Sequence, residues 1–299
     1  MAEFNVVVIG GGSAGLMVAA GCAGLGARVA LVEAHQMGGD CLNTGCVPSK
    51  ALIRSAAVAR LKARTEAAVP AGGAAPEWSA VAARVQGVIA QLAPHDSVDR
   101  FQSLGVQVHL GRARLLSATR VEVHKPAAAA QPGSPAQSAA TVQLEGRALV
   151  LATGSRPAVP AIPGLKEAGY VTNETVFAMP SLPRRLLVLG GGPIGLELGQ
   201  ALARLGSQVT VAEALPRLLP REDEDAAALV RQALEEDGLA VHTGARVAQV
   251  HATPGGKRVL LERSGAGPLT LEVDQILVAT GRQPNVDGLG LEQAGVAVD

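Results

Sequence analysis

The sequence predicts an α/β protein built from two Rossmann-like, three-layer domains. Three observations carry that reading. First, Asn5–Ile9 (NVVVI) is continuously apolar, as a strand buried on both faces of a parallel sheet is. It runs into GGGSAG, then a helix of small residues to about Leu25, then a strand ending at Glu33. Second, the pattern returns as RLLVLGGGPIG (Arg185–Gly195), a helix, and SQVTVAE ending at Glu213. Gly10 to Glu33 and Gly190 to Glu213 both span 23 positions, and the two units lie 180 residues apart. That is repetition of a whole domain rather than a solenoid period. Third, LVLATGSRP (Leu149–Pro157) and ILVATGRQPN (Ile276–Asn285) are matching apolar strands. Each ends in Ala-Thr-Gly with a basic residue and a proline just beyond, and each reads as the last parallel strand of its domain.

The bulk composition agrees. A chain of 299 residues has room for two domains, and 48% hydrophobic content supplies their cores. Aromatics are only 2% while glycines number 36, which suits close helix-on-sheet packing. Lys+Arg 26 balances Asp+Glu 26, so no nucleic-acid or anionic-membrane partner is expected. The opening MAEFNVVVIGGGSAG enters a strand without a basic leader or cleavage site, and no 18-residue apolar run is uninterrupted. A cytoplasmic protein is expected. Three cysteines form no disulfide framework in a chain this long, and a close pair in a reducing compartment points to catalysis or metal binding.

Other segments are assigned more simply. Lys125–Ala140 (KPAAAAQPGSPAQSAA) is low-complexity and separates RVEVH from TVQLE, so a β-hairpin with a long mobile tip is expected. Arg221–Asp225 (REDED) reads as a solvated loop and helix start, and ALIRSAAVARLKAR as a helix continuing from Lys50.

Gly10-x-Gly12-x-x-Gly15 between a strand and a helix, with Glu33 ending the next strand, predicts a dinucleotide site. The first glycine permits the tight turn, the second lets backbone approach a pyrophosphate, and the third lets the helix pack on the sheet. The helix N-terminus favours the anion, and Glu33 can accept both hydroxyls of an adenosine ribose. Gly190, Gly192, Gly195 and Glu213 repeat the arrangement. A carboxylate at Glu213 repels a 2′-phosphate, so NADH is expected there over NADPH, with Arg217 near enough to soften the preference.

Cys41 and Cys46 lie in GGDCLNTGCVPSK (Gly38–Lys50). On an ideal helix this spacing is about 140° off a common face, and Gly39, Asn43 and Gly45 would allow a distorted turn that brings the thiols together. A zinc site needs about four ligands, and no second Cys pair or His cluster lies nearby. Spacing alone still leaves a redox pair, a metal pair or two unrelated buried thiols open. Cys22, among small apolar residues of the first helix, is expected in the core.

This segment, both glycine motifs and both ATG segments together resemble the class I pyridine nucleotide-disulfide oxidoreductases, the group of dihydrolipoamide dehydrogenase, glutathione reductase and mercuric reductase. The resemblance implies an FAD-binding domain over residues 1–155, an NAD(P)H-binding domain inserted into it over 156–281, and a return to the FAD domain over 282–299. It implies hydride passing from nicotinamide to flavin, and electrons from flavin to a Cys41–Cys46 disulfide. Cys46 would be the flavin-proximal thiol and Cys41 the one that exchanges with substrate. Lys50 would stand at the flavin with Glu197 as its partner, tying the two domains together. Ala113, Thr153 and Gly154 would contact FAD. Gly281 and Val247 would contact the nicotinamide and adenine ends of the second nucleotide.

The sequence also departs from that family. Asp40 stands where better-known members often carry Thr, and Pro193 replaces a bulky residue that gates the nicotinamide pocket in some. Family members continue past the second ATG segment into an Asp that binds the flavin ribityl chain, then a dimerisation domain carrying a His–Glu acid/base pair. This sequence stops at AGVAVD, and its six histidines include no His-x-x-x-x-Glu. The expectation is therefore a C-terminally truncated flavoprotein, most like dihydrolipoamide dehydrogenase, whose full-length form is a homodimer. A mercuric-reductase-like enzyme acting on a soft metal, and a catalytically incomplete nucleotide-binding fragment, are the alternatives. An NADH oxidase or transhydrogenase is disfavoured because it needs no cysteine pair.

Overall fold

The structure is a computed structural model and describes residues 2–68, 77–125 and 140–298. The tip of the low-complexity hairpin lies outside the described residues. In chain order the chain begins with strand β1 (Phe4–Ile9), helix α1 (Ser13–Gly24), strand β2 (Val29–Glu33) and the short helix α2 (Gly39–Asn43). Helices α3 (Cys46–Ala68), α4 (Trp78–Leu92) and α5 (Val98–Ser103) follow. Then come β3 (Val106–Leu110), β4 (Arg112–Leu115), β5 (Arg120–His124) and β6 (Thr141–Leu151).

The second half opens with β7 (Arg185–Leu189), α6 (Pro193–Arg204), β8 (Gln208–Ala212) and α7 (Glu224–Glu236). It continues with β9 (Ala240–His242), β10 (Ala245–Thr253), β11 (Gly256–Arg263), β12 (Ala266–Val273) and β13 (Gln275–Val278). These elements form two compact units. The first takes residues 1–43, 90–156 and 284–299, and the second takes 44–89 and 157–283.

In the first unit a six-stranded sheet runs β3-β2-β1-β6-β5-β4. Strands β3, β2, β1 and the second half of β6 are parallel, while β6, β5 and β4 form an antiparallel meander. The sequence reads TVQLE and LVLATG as separate strands. TVQLE and LVL are one strand that ends before ATG and changes partner at Gly146, where an added Cβ would press on Val7 and the Ala148 carbonyl. Leu16 and Phe101, from α1 and α5, pack on Val8, Val29 and Leu31 of one sheet face. Leu115, Val121, Val123 and Leu144 of the meander cover Val7, Ile9 and Val32 on the other. The strands are apolar without alternation because both faces are covered.

The second unit has the same three layers. A parallel sheet ordered β9-β8-β7-β13 carries α3, α4 and α6 on one face. The antiparallel β10-β11-β12 sheet covers the other, through Leu187, Leu189, Ile276 and Val278 against Val250, Val259 and Leu261. The sole tryptophan, Trp78, is buried on the helical face and donates its indole N–H to the Met179 carbonyl at 2.7 Å. Helices α3 and α4 fall inside the range expected for the first domain, yet α3 packs here: Ala51, Leu52 and Ala56 join Leu198, Ala201 and Leu202 of α6 in one core. Among the described residues, no helix is long and apolar enough to cross a membrane.

One polar joint fixes the register of this unit. Asp274, between β12 and β13, accepts from the Arg185 backbone N–H at 2.8 Å, Nε at 3.1 Å and Nη2 at 2.5 Å. The half-buried joint is reinforced by the buried Lys257 ammonium, which donates to the Asp274 carbonyl at 3.0 Å and Gln275 Oε1 at 2.9 Å. Hydrogen bonding from Arg185 holds the Asp274 carboxyl below the usual carboxylate range. A depressed carboxyl contributes stability that is present above the unfolded value of about 3.9 and is lost as pH falls through the folded value. Asp274→Asn is therefore expected to lower the urea midpoint at pH 7 and to flatten its decline below about pH 4, as followed by Trp78 fluorescence at each pH.

Candidate functional site

The two glycine turns are built alike. Gly10 (φ +113°) and Gly190 (φ +105°) end their strands in backbone conformations that side chains rarely adopt. A Cβ on Gly10 would collide with the Ala152 carbonyl, and one on Gly190 with the Ala279 carbonyl. The ATG segments thus face the glycine turns across neighbouring strands. Gly15 and Gly195 face the carbonyls of Gly10 and Gly190, which lets each helix start directly over its turn. Gly192, by contrast, has nothing within 4 Å of an added Cβ. Protein packing does not account for a glycine there, but the approach of a ligand would.

The acids do more than the sequence suggests. Glu33 Oε2 accepts the Gly11 N–H at 2.6 Å, and Oε1 accepts the His35 N–H at 2.7 Å. Glu213 Oε2 accepts the Gly191 N–H at 2.6 Å, and Oε1 accepts the Leu215 N–H at 2.7 Å. Both carboxylates are buried. Each clasps the middle of its glycine turn to the loop after its strand, and each retains acceptor capacity because a carboxylate offers about four lone-pair sites.

A cleft of about 770 Å³ opens beside Glu213 in the second unit. Its lining includes Pro160–Pro163, Gly190, Ala245–Ala248 and Thr280. Val247, buried at a bulge of β10, lies in it. Gly281 (φ +136°) accepts the Ala158 N–H at 2.9 Å, and Thr280 Oγ1 donates to the Ala158 carbonyl at 2.8 Å. Arg217 is committed elsewhere. Its Nη1 donates to the carbonyls of Glu222 at 2.8 Å and Leu219 at 3.3 Å, and its Nη2 to Pro220 at 2.8 Å.

In the first unit, Thr153 and Gly154 are held by a residue that sequence reasoning passed over. Asn285 Nδ2 donates to the Thr153 carbonyl at 3.0 Å, and its backbone N–H to the Gly154 carbonyl at 3.0 Å. Arg156 donates to Asn285 Oδ1 at 3.1 Å and to Asp287 Oδ2 at 2.7 Å. ATG-x-x-P recurs, but Ala158 follows the first copy where Asn285 follows the second, so the repeat itself gave no sign of Asn285. Ala113 is half-buried at the centre of β4, paired with Val123.

The cysteine segment is not one helix. Cys41 lies on α2 and Cys46 begins α3, with Thr44 and Gly45 as the break, so the helical-face angle does not apply. Cys41 is half-buried in the first unit and Cys46 is exposed in the second. Cys22 is also half-buried, packed at the edge of the α1 core. The start of α2 is tied to the first glycine turn: the Gly38 N–H donates to the Gly11 carbonyl at 2.9 Å, and Gly39 lies on Gly12 with no room for a Cβ. Asn43, expected to help the chain turn between the cysteines, donates to the carbonyls of Gly39 at 2.8 Å and Met37 at 3.1 Å. Among the described residues, no cluster of three or more His, Cys, Asp or Glu side chains could hold a metal ion.

Lys50 and Glu197 do meet, with Nζ 2.7 Å from Oε2. The expectation that they tie two domains together is corrected, because α3 and α6 belong to the same unit. Leu196 and Leu198 are buried and Glu197 points outward to the lysine. The side chains are 62% and 46% exposed, so water screens the pair and it adds little stability.

Residues 4–299 match the pyridine nucleotide-disulphide oxidoreductase family. The chain belongs to that family. It is 36% identical to a dihydrolipoyl dehydrogenase of Thermus scotoductus, over all of this chain and 61% of the relative. It is 31% identical to a mercuric reductase of Lysinibacillus sphaericus, over 98% of this chain and 51% of the relative. Among solved structures, the Cu(II) complex of the HOCl-induced flavoprotein disulfide reductase RclA from Escherichia coli superposes with a TM-score of 0.80 at 30% identity. That match covers all of this chain and 61% of RclA. The chain thus spans about three fifths of the length of these relatives or less.

Replacing Glu213 by Gln keeps one acceptor and loses the other, leaving a buried N–H of the glycine clasp unpaired. A loss of about 1–3 kcal/mol is expected in urea unfolding. Removal of the charge is also expected to raise the NADPH-to-NADH affinity ratio roughly tenfold, or about 1.4 kcal/mol, measurable by fluorescence titration.

Proposed function

We propose that this chain is the nucleotide- and thiol-bearing part of an FAD-dependent, NADH-linked disulfide oxidoreductase, most like dihydrolipoamide dehydrogenase. One observation carries the reading. The helix bearing Cys41 starts on the first dinucleotide turn, through Gly38 to Gly11 and Gly39 on Gly12. That join puts a thiol beside a nucleotide cradle, an arrangement that two unrelated core cysteines do not need.

The residues fit FAD in the first unit. Gly10, Gly12 and Gly15 open the turn, Glu33 accepts ribose hydroxyls, and Thr153, Gly154 and Ala113 line the remaining contacts. They fit NADH in the second, with Gly190, Gly192, Gly195, Glu213, Val247 and Gly281. Bound FAD supplies the two-electron relay between a nicotinamide and a disulfide. Lys50 would supply positive charge to the reduced, anionic group, with Glu197 as its ion-pair partner. By the family resemblance Cys46 would be the flavin-proximal thiol, and Cys41, activated as a thiolate, would attack the substrate sulfur and form a mixed disulfide as the substrate's other sulfur leaves. Arg217 spends its donors on three carbonyls, which supports NADH over NADPH. The whole protein would act as a cytoplasmic homodimer on a small disulfide or dithiol.

A soft-metal substrate is the second reading. Two thiolates suit such an ion, and relatives include a mercuric reductase and a Cu(II)-bound disulfide reductase.

The purified chain, reconstituted with FAD and reduced anaerobically with NADH, is expected to gain a long-wavelength thiolate–flavin band. Cys46→Ser should abolish the band. Cys41→Ser should abolish disulfide reduction while sparing NADH-to-quinone turnover. A chain that takes up no FAD would overturn the reading, and a C41S variant that loses both activities equally would overturn the thiol roles.

A further inference from the structure

The Lys50–Glu197 pair poses a positional problem. Both side chains are about half in water or more, so their mutual attraction cannot fix where the ammonium stands. The placement has to come from whatever sets α3 against α6. Apolar contacts of Leu52 and Ala56 with Leu198 and Leu202 hold the two helices together, but such contacts are non-directional.

One directional contact joins the same two helices. Asp237, which caps the C-terminus of α7, has a side chain only 3% exposed. Its Oδ2 accepts from Arg204 Nε at 2.7 Å, Arg204 Nη2 at 2.6 Å and Gln200 Nε2 at 2.9 Å, all from α6. Its Oδ1 lies 2.9 Å from Arg60 Nε of α3. Arg60 contributes there mainly as a charge, since that N–H makes no aligned hydrogen bond, and its Nη2 donates to the Glu236 carbonyl at 3.2 Å. A buried carboxylate thus holds one cation from each helix.

The geometry relates this cluster to the exposed pair. Glu197 and Arg204 are seven residues apart, two turns along α6 and within about 20° of one face. Lys50 and Arg60 are ten apart, about 15 Å along α3. Lys50, Glu197, Gln200 and Arg204 line one groove of about 250 Å³ with Ile53 and Ala201. A sliding or turning of α3 would break the buried bonds at one end and move the ammonium at the other.

We propose that Asp237 is a positioning residue for the Lys50–Glu197 pair, acting through Arg60 on α3 and through Arg204 and Gln200 on α6. The importance of the pair to redox chemistry rests on the function proposed above; its placement does not. Buried charged clusters serve register more dependably than stability, which is the use made of this one.

The test reads Lys50 directly, in the chain without cofactor. Acetic anhydride labelling of lysines, quantified by peptide mass spectrometry, reports the freedom of each ammonium. Glu197→Gln sets the rate for an unpaired Lys50, and exposed Lys166 is the control. Asp237→Asn would strand two arginines, so Arg60→Gln is the milder variant and Arg60→Lys the rescue. Arg60→Gln is expected to raise Lys50 labelling two- to fivefold toward the E197Q rate, with Lys166 and Trp78 fluorescence unchanged and with R60K near wild type. An unchanged Lys50 rate in R60Q would overturn the proposal. So would a rise shared by Lys166, which would mean general loosening. Failure of the chain to take up FAD would leave this result intact and count only against the proposed function.

Discussion

A buried carboxylate accepting two backbone N–H groups is the interaction on which the two glycine turns depend. A glycine turn between a strand and a helix has few side chains with which to hold itself. Glu33 and Glu213 supply the missing constraint by tying Gly11 to His35 and Gly191 to Leu215. The strand ends, the turn and the following loop become one rigid piece. The first turn in turn supports Gly38 and Gly39, so the lead-in to Cys41 inherits that rigidity. In this arrangement the acid that would recognise a ribose also organises the backbone that would face the pyrophosphate. Selectivity and architecture therefore cannot be altered independently at these two positions.

Polar contacts divide into two kinds by what they hold. The Asp274–Arg185 joint and the Asp237 cluster fix the register of elements, the first between β7 and β13 and the second between α3 and α6. Lys50–Glu197 is short but wet, and its partners are spaced by the buried contacts rather than by each other. Water keeps the lysine from being locked to its glutamate, which would suit the role proposed for Lys50 beside a group whose charge changes.

Much of the fold was legible because the two β–α–β units repeat at equal spacing and their strands are apolar without alternation. The hairpin strands Arg120–His124 and Thr141–Glu145 were legible from their alternation. The fusion of TVQLE with LVL into a single strand was not, since the change of partner at Gly146, close against Val7, is set in space. The side with which residues 44–89 pack was also hidden, because small apolar residues on α3 carry no label for their partner. Asn285 and Asp237 escaped notice for a related reason: an amide or carboxylate declares its partners only when distant carbonyls or cations are brought to it.

The sequence by itself determined the doubly wound architecture, the two glycine turns, their acids and the cysteine segment. These rest on local backbone requirements and on side-chain periodicity, both of which are written in consecutive residues. The tertiary structure alone decided that Glu33 and Glu213 brace the turns they follow, that Cys41 and Cys46 begin separate helices, and that Lys50 and Glu197 belong to one compact unit. Those outcomes depend on which distant groups arrive within about 3 Å of one another, and packing sets that distance.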